Sequence, residues 1–190
     1  MAHKGFEHRE PILHQGDDVA QCHLVIEGRA NAFAIGLEGQ YVQLATYEPG
    51  EIFGAYPARD SQRADIVADN GLQLLTIESG RLSAFAKSYA DVGSGLAKIF
   101  AGQMDVLFDR MAARTTLSAV GRVYAELLRR GGDKNRISPA PVIAALAVSV
   151  QTTRETASRA IGKLERRGVI RRTSDHWEIV APRQLEDMIA

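Results

Sequence analysis

The apolar period of this chain changes at Ser79, and that change constrains the fold more than any other feature. Over residues 11–77, short runs of apolar and branched residues are separated by glycine-bearing turns roughly every 8–12 residues, which is the punctuation of an all-β domain. Strands are predicted at residues 12–13, 23–26, 30–35, 41–47, 52–53, 64–68 and 73–77. Turns fall at Gln15-Gly16-Asp17-Asp18, Glu27-Gly28, Leu37-Glu38-Gly39-Gln40, Glu48-Pro49-Gly50 and Asp69-Asn70-Gly71, all rich in residues that pre-set a turn or tolerate positive φ. A small β-barrel or sandwich follows.

After Ser79 apolar residues recur at three and four. Val92, Leu96, Ile99 and Val106, with Gln103 between, make one stripe; Phe100, Met104, Leu107 and Met111 make a second beside it. One face of this long helix can cover the barrel. The other needs a partner, either the domains of a monomer or, the preferred reading, a second copy in a two-stranded coiled coil with Phe100, Met104, Leu107 and Met111 as the dimer interface. From Ser118 the pattern reads as three helices and a hairpin. The helices are expected at residues 120–130, stopped by Gly131-Gly132; at 139–149, with Pro141 in the first turn; and from Thr152-Thr153-Arg154-Glu155, a Thr-x-x-Glu capping box, to about Arg167, stopped by Gly168. The hairpin pairs residues 169–172 with 177–180 across Thr173-Ser174-Asp175-His176, and a short helix at 184–189 ends the chain. Three parts are expected: residues 1–90, 91–117 and 118–190.

Charge supports this division. Lys+Arg and Asp+Glu number 23 each, yet residues 1–117 carry 10 basic and 15 acidic groups, a net of −5, and residues 118–190 carry 13 and 8, a net of +5. An acidic module joined to a nucleic-acid-binding one would show such asymmetry. The single cysteine, Cys22, cannot form an intramolecular disulfide or supply a thiolate zinc or iron–sulfur site alone. No apolar run reaches a membrane span and the first residues lack a secretory core, so a reducing cytoplasm is the expected compartment and no membrane partner is expected.

Two short helices joined by a tight turn and followed by a hairpin describe a winged helix-turn-helix. In the third helix Ala157, Ala160, Ile161 and Leu164 share one face and would pack inward, leaving Arg154, Glu155, Ser158, Arg159, Gly162, Lys163 and Arg166 outside. Those types suit base edges: Arg154 and Arg159 offer paired donors to guanine, and Glu155 accepts from a cytosine amino group. Thr152, Thr153, Lys163 and the helix N-terminus suit phosphates, and Arg166, Arg167, Arg171 and Arg172 carry the positive surface into the wing. Singly, Glu155 could be only a capping partner and the arginines only its counter-charges. The combination favours double-stranded DNA as partner. No metal-ligand cluster, phosphate loop or nucleophile motif points to an enzyme; Ser174-Asp175-His176 is a turn.

The run Thr153-Arg154-Glu155-Thr156-Ala157-Ser158-Arg159, with Gly121-Arg122-Val123 before it, resembles the Crp/Fnr family of bacterial transcription regulators. Ile12-Leu13-His14-Gln15-Gly16, Leu24-Val25-Ile26-Glu27-Gly28 and Pro49-Gly50-Glu51-Ile52-Phe53-Gly54 extend the resemblance over nearly the whole chain. It implies an α+β architecture: an N-terminal β-roll like that of cyclic-nucleotide-binding domains, a long dimerisation helix and a C-terminal winged helix-turn-helix. It also implies a homodimer on a two-fold symmetric promoter site, in contact with RNA polymerase. Arg154, Glu155 and Arg159 match the base-reading positions of the cyclic-AMP receptor branch, and Glu155, Ser158 and Arg159 those of the fumarate–nitrate branch, so half-sites similar to TGTGA and to TTGAT both stay open.

The effector pocket that the resemblance implies comprises Gly54, Ala55, Gln62, Arg63 and Met111, and it departs from the family pattern. Ala55 stands where cyclic-nucleotide binders carry a ribose-binding glutamate, Gln62-Arg63 where Arg-Ser grips the cyclic phosphate, and Met111-Ala112 where Thr-Ser meets adenine. A one-residue shift in a strand turns Arg63 to the opposite face. Cyclic AMP is therefore not the expected effector. A small-molecule effector of other chemistry stays open, no metal or other cofactor is expected, and His14 and His23 are expected on the surface. Gln151 replaces the glycine usual in the turn, and family members carry a helical segment before the strand expected here at Ile12. A second reading keeps the helical domain as a docking surface for a protein in a ligand-gated module.

Overall fold

In the computed structural model, which describes residues 1–36 and 41–189, the chain forms two compact units, Met1–Leu107 and Phe108–Ala190. The first holds strands β1 (Ala2–Phe6), β2 (Pro11–Leu13), β3 (Asp18–Val19), β4 (Gln21–Ile35), β5 (Tyr41–Tyr47), β6 (Ile52–Gly54), β7 (Asp60–Ser61) and β8 (Asp65–Glu78). Helix α1 (Ser79–Ser88) follows, and α2 (Ala90–Thr116) runs on into the second unit. The second unit then has α3 (Ala119–Gly131), β9 (Arg136–Ile137), α4 (Ile143–Ser149), α5 (Arg154–Arg166), β10 (Ile170–Arg172), β11 (Trp177–Ile179) and α6 (Pro182–Asp187).

An antiparallel sheet in the order β1-β8-β4-β5, with β2 on β8 and β6 on β4, makes the first unit, and β3 pairs with β7. Two expected turns are not reversals. Gly28 (φ 75°) and Gly71 (φ 60°) sit inside β4 and β8, which pair with each other through register shifts at Val25/Glu27 and Glu27/Arg29. Glycine at positive φ within a strand makes a bulge that bends the ladder without ending it. The bent sheet curls into a half-barrel around Val25, Ala30, Ala32, Phe53, Ala64, Ile66, Ala68, Leu72 and Leu74. Alternate residues face outward, so Cys22 and Leu24 pack with Ile52, Ile77 and Leu82 against Leu96, Ile99 and Phe100 of α2.

Strand β1 was not expected, since only Phe6 of its five residues contributes to the core; it pairs Ala2–Phe6 with Thr76–Leu72 as an exposed edge. The strands β3, β7 and β9 are two residues each, too short to carry a period. The expected turn Leu37-Glu38-Gly39-Gln40 lies outside the described residues. Tyr89, in extended conformation (φ −128°, ψ 108°), ends α1, which was not expected as an element of its own, and α2 then covers Ala90–Thr116 where the long helix was expected at 91–117.

In the second unit α3 supplies Val123, Tyr124 and Leu127, α4 supplies Leu146 and Ala147, and α5 supplies Ala157, Ala160, Ile161 and Leu164 to one core closed by Val169, Ile170, Trp177, Ile179 and Leu185. Helix α4 begins at Ile143, later than expected. Ser138 and Ala140 each precede a proline, which disfavours helix, and the Ala140 N–H donates to the Asp175 carbonyl at 2.9 Å instead. The terminal helix is Pro182–Asp187, entered through its proline.

Candidate nucleic-acid interface

Helix α5 is placed by its own apolar stripe. Ala157, Ala160, Ile161 and Leu164 are all buried, as their spacing requires, which turns Arg154, Glu155, Ser158, Arg159, Lys163 and Arg166 to solvent on the opposite side. Gly162 and Thr152 are half-buried. Seven residues form α4 before the chain turns through Val150 and Gln151, and Gln151 sits at φ 52°, in the left-handed region expected of glycine. The Thr152 N–H closes back on the Ala147 carbonyl at 3.0 Å, so Thr152 still belongs to the turn.

The cap is Thr153, one residue later than expected. Its Oγ1 accepts from the Thr156 N–H at 3.2 Å, which moves Glu155 out of the reciprocal capping position. Hydrogen bonds from its own backbone N–H and from Thr153 hold the exposed Glu155 carboxylate below the usual range, so it is an anion at neutral pH, available as an acceptor. Thr156, which sequence reasoning passed over, stands between Thr153 Oγ1 at 3.1 Å and Arg159 Nη2 at 3.5 Å. Its 153, 156, 159 spacing on one helix face was the available signal.

The wing is less freely positive than the sequence suggests. Arg171 pairs with Glu178 at 3.2 Å and Arg172 with Glu165 at 3.4 Å, and the Arg172 guanidinium lies 4.8 Å from the Trp177 ring centroid. Arg167 reaches the Met188 sulfur at 3.7 Å. No group of His, Cys, Asp and Glu that could hold a metal occurs among the described residues, and no described helix is long and apolar enough to cross a membrane.

With this geometry the comparisons agree. Residues 121–188 match the Crp-like helix-turn-helix domain and residues 3–89 the cyclic nucleotide-binding domain. A cyclic AMP receptor protein of Thermus thermophilus is 30% identical over 169 residues, which cover 85% of this chain and 76% of that one. The chain belongs to the Crp/Fnr family of transcription regulators. Among solved structures, FixK2 of Bradyrhizobium japonicum covers 100% of this chain and 97% of its own with a TM-score of 0.86 at 19% identity. A CooA variant of Carboxydothermus hydrogenoformans covers 100% and 88% with a TM-score of 0.84 at 15%. The fold is that of Crp/Fnr proteins, and this Crp/Fnr regulator acts by binding DNA; its family is one of transcription regulators, which are generally not enzymes.

Gly54 is at φ 96°, where an added Cβ would collide with the Gln21 carbonyl oxygen, so glycine here serves the backbone. Ala55 is buried, and the Gln62 amide folds onto the Ala64 carbonyl at 2.9 Å. Arg63 has 90% of its side chain in solvent, 4.0 Å from Asp60. Met111 lies in the other unit and is exposed. Of the four apolar residues assigned to a dimer, Met104, Leu107 and Met111 are exposed on α2 together with Phe108, which the stripe omitted. Phe100 instead packs on Tyr56, with ring centroids 5.4 Å apart.

His23 corrects the sequence reading outright. It is 3% exposed, stacked on Phe53 with centroids 5.1 Å apart, and its Nδ1 is 2.9 Å from Thr76 Oγ1. The residue faces the inside of the curled sheet because it alternates with Cys22 and Leu24. His14, as expected, is exposed, 3.8 Å from Asp65.

Proposed function

We propose that this regulator binds a two-fold symmetric duplex site as a homodimer, reads bases with Arg154, Glu155, Ser158 and Arg159, holds phosphates with Thr152, Thr153, Lys163 and Arg166, and does not respond to cyclic AMP. The observation that carries the DNA reading is the outward face of α5, charged and polar throughout and set opposite a fully buried apolar stripe. The exposed apolar run Met104, Leu107, Phe108 and Met111 supports dimerisation, since a helix seldom leaves such a face in water. Contact with RNA polymerase belongs to the same proposal by family resemblance.

Ala55, the folded-back Gln62 and the outward Arg63 support independence from cyclic AMP, although the Thermus relative is named for that ligand. They leave the residues present without a fit for ribose and phosphate. The deciding experiment is selection from a randomised DNA pool at physiological salt, with and without cyclic AMP. A palindromic motif equally enriched in both arms is expected; enrichment only with the nucleotide overturns the pocket argument. Sedimentation of the parent and of Met104→Asp checks the dimer.

One observation favours protein docking as a second reading. The outer face of α4 is apolar, with Val142, Ala144, Ala145 and Val148 exposed. Absence of salt-dependent binding to every duplex would turn the conclusion toward that reading.

A further inference from the structure

The turn between α4 and α5 is gripped by one side chain from α3. Arg122 donates from Nε to the Val150 carbonyl at 2.9 Å, from Nη2 to the Gln151 carbonyl at 2.9 Å and from Nη1 to the Leu117 carbonyl at 3.1 Å. Leu117 belongs to the link between α2 and α3, and Gln151 is the left-handed turn residue. A planar guanidinium presents its donors in a fixed fork, so three bonds to two separate segments fix their mutual position as a flexible ammonium cannot.

The grip falls where the backbone needs it. A non-glycine residue in the left-handed region is disfavoured by about five- to thirty-fold, so Gln151 does not hold this turn unaided. Arg130 adds a bond to the Ser149 hydroxyl at 3.1 Å, at the end of α4. Thr152 and the Thr153 cap come directly after Gln151, so the φ of that residue sets the direction in which α5 leaves α4.

We infer that Arg122 is a positioning residue for DNA reading: its guanidinium holds the left-handed Gln151 turn against the Leu117 linker and thereby sets the attitude of α5. The inference rests on the DNA reading of α5 proposed above. It makes the α2–α3 link and the recognition turn one mechanical piece, joined by a single removable group.

The test is a double-mutant cycle in the full chain, with duplex affinity for the selected site measured beside affinity for unrelated duplex, and unfolding followed by Trp177 fluorescence. Arg122→Ala is expected to weaken the selected site about tenfold or more while unrelated duplex loses much less. Gln151→Gly, which removes the backbone penalty, is expected to bind at least as well as the parent and to restore most of the loss when combined with Arg122→Ala. Arg122→Lys is expected to fail like Arg122→Ala. Without DNA, Gln151→Gly should stabilise Arg122→Ala more than it stabilises the parent. Additive effects in both cycles, or equal losses on selected and unrelated duplex, overturn the positioning role. A parent that binds no duplex overturns the DNA reading itself, while the unfolding cycle still decides whether Arg122 holds the turn.

Discussion

The two units solve the same problem, an ionisable group inside the fold, in opposite ways. In the β unit His23 is kept by being neutral: burial first, and then the positive charge of Lys4, push its imidazole down to about 4, and its Nε2 has no hydrogen-bond partner among the described residues. In the helical unit Glu126 is kept by being charged. Burial alone would raise its carboxyl, but bonds from Arg129 at 2.9 Å and Arg130 at 2.7 Å hold it at about 2. The difference follows from geometry. A strand face places a side chain among apolar neighbours, whereas a helix brings residues at i+3 and i+4 to the same spot, and here both are arginines.

The most severe way to break the contrast is Glu126→Ala, which leaves two arginines partly buried without their carboxylate and should cost about 3–5 kcal/mol. Denaturant unfolding followed by Trp177 fluorescence reports the second unit alone, because the chain has one tryptophan. A midpoint unchanged from the parent would mean that the pair is only ornamental.

Acidification should then separate the units in order. His23 has a folded-state value below its ordinary one, so the unfolded chain takes up a proton first, and the β unit loses stability as pH falls from about 6.5 to about 4, by about 3 kcal/mol in all. Glu126 is also lowered, so its contribution is complete above about 4.5 and disappears only as pH falls toward about 2. Far-UV circular dichroism of the strands should therefore fail before Trp177 responds, and His23→Gln should remove the upper step. Simultaneous loss at all pH values would remove the distinction.

Smaller effects sharpen the comparison on the DNA side. Arg159→Ala should cost about 1–3 kcal/mol of discrimination at one base pair, seen as relaxed preference in a gel-shift panel. Lys163→Ala should weaken all duplexes nearly alike and lower the salt slope by about one contact. Arg63→Ala in the β unit should change neither, since that side chain stands in solvent.

Much of this was legible without a structure. The extents of β5 and α5 and the buried stripe of α5 follow from local period, which backbone geometry imposes residue by residue. Less local features were not. The continuity of β4 and β8 through Gly28 and Gly71 depends on each strand supplying the other's ladder, so the same glycines that read as turns became bulges. The shift of the cap from Thr152 to Thr153 depends on Gln151 adopting a conformation its side chain disfavours.

By itself the sequence determined the change from strand to helix at Ser79, the succession of helices and hairpin after Ser118 and the chemistry displayed by α5, because these depend on neighbours within a few residues. Tertiary structure alone decided that His23 is buried against Thr76, 53 residues away, and that Arg122 closes on carbonyls 28 and 29 residues away. It also decided that Phe100 turns to Tyr56 while Phe108 is exposed on the single chain. Such contacts carry no period, since each requires two distant segments to arrive at one place before either side chain has a partner.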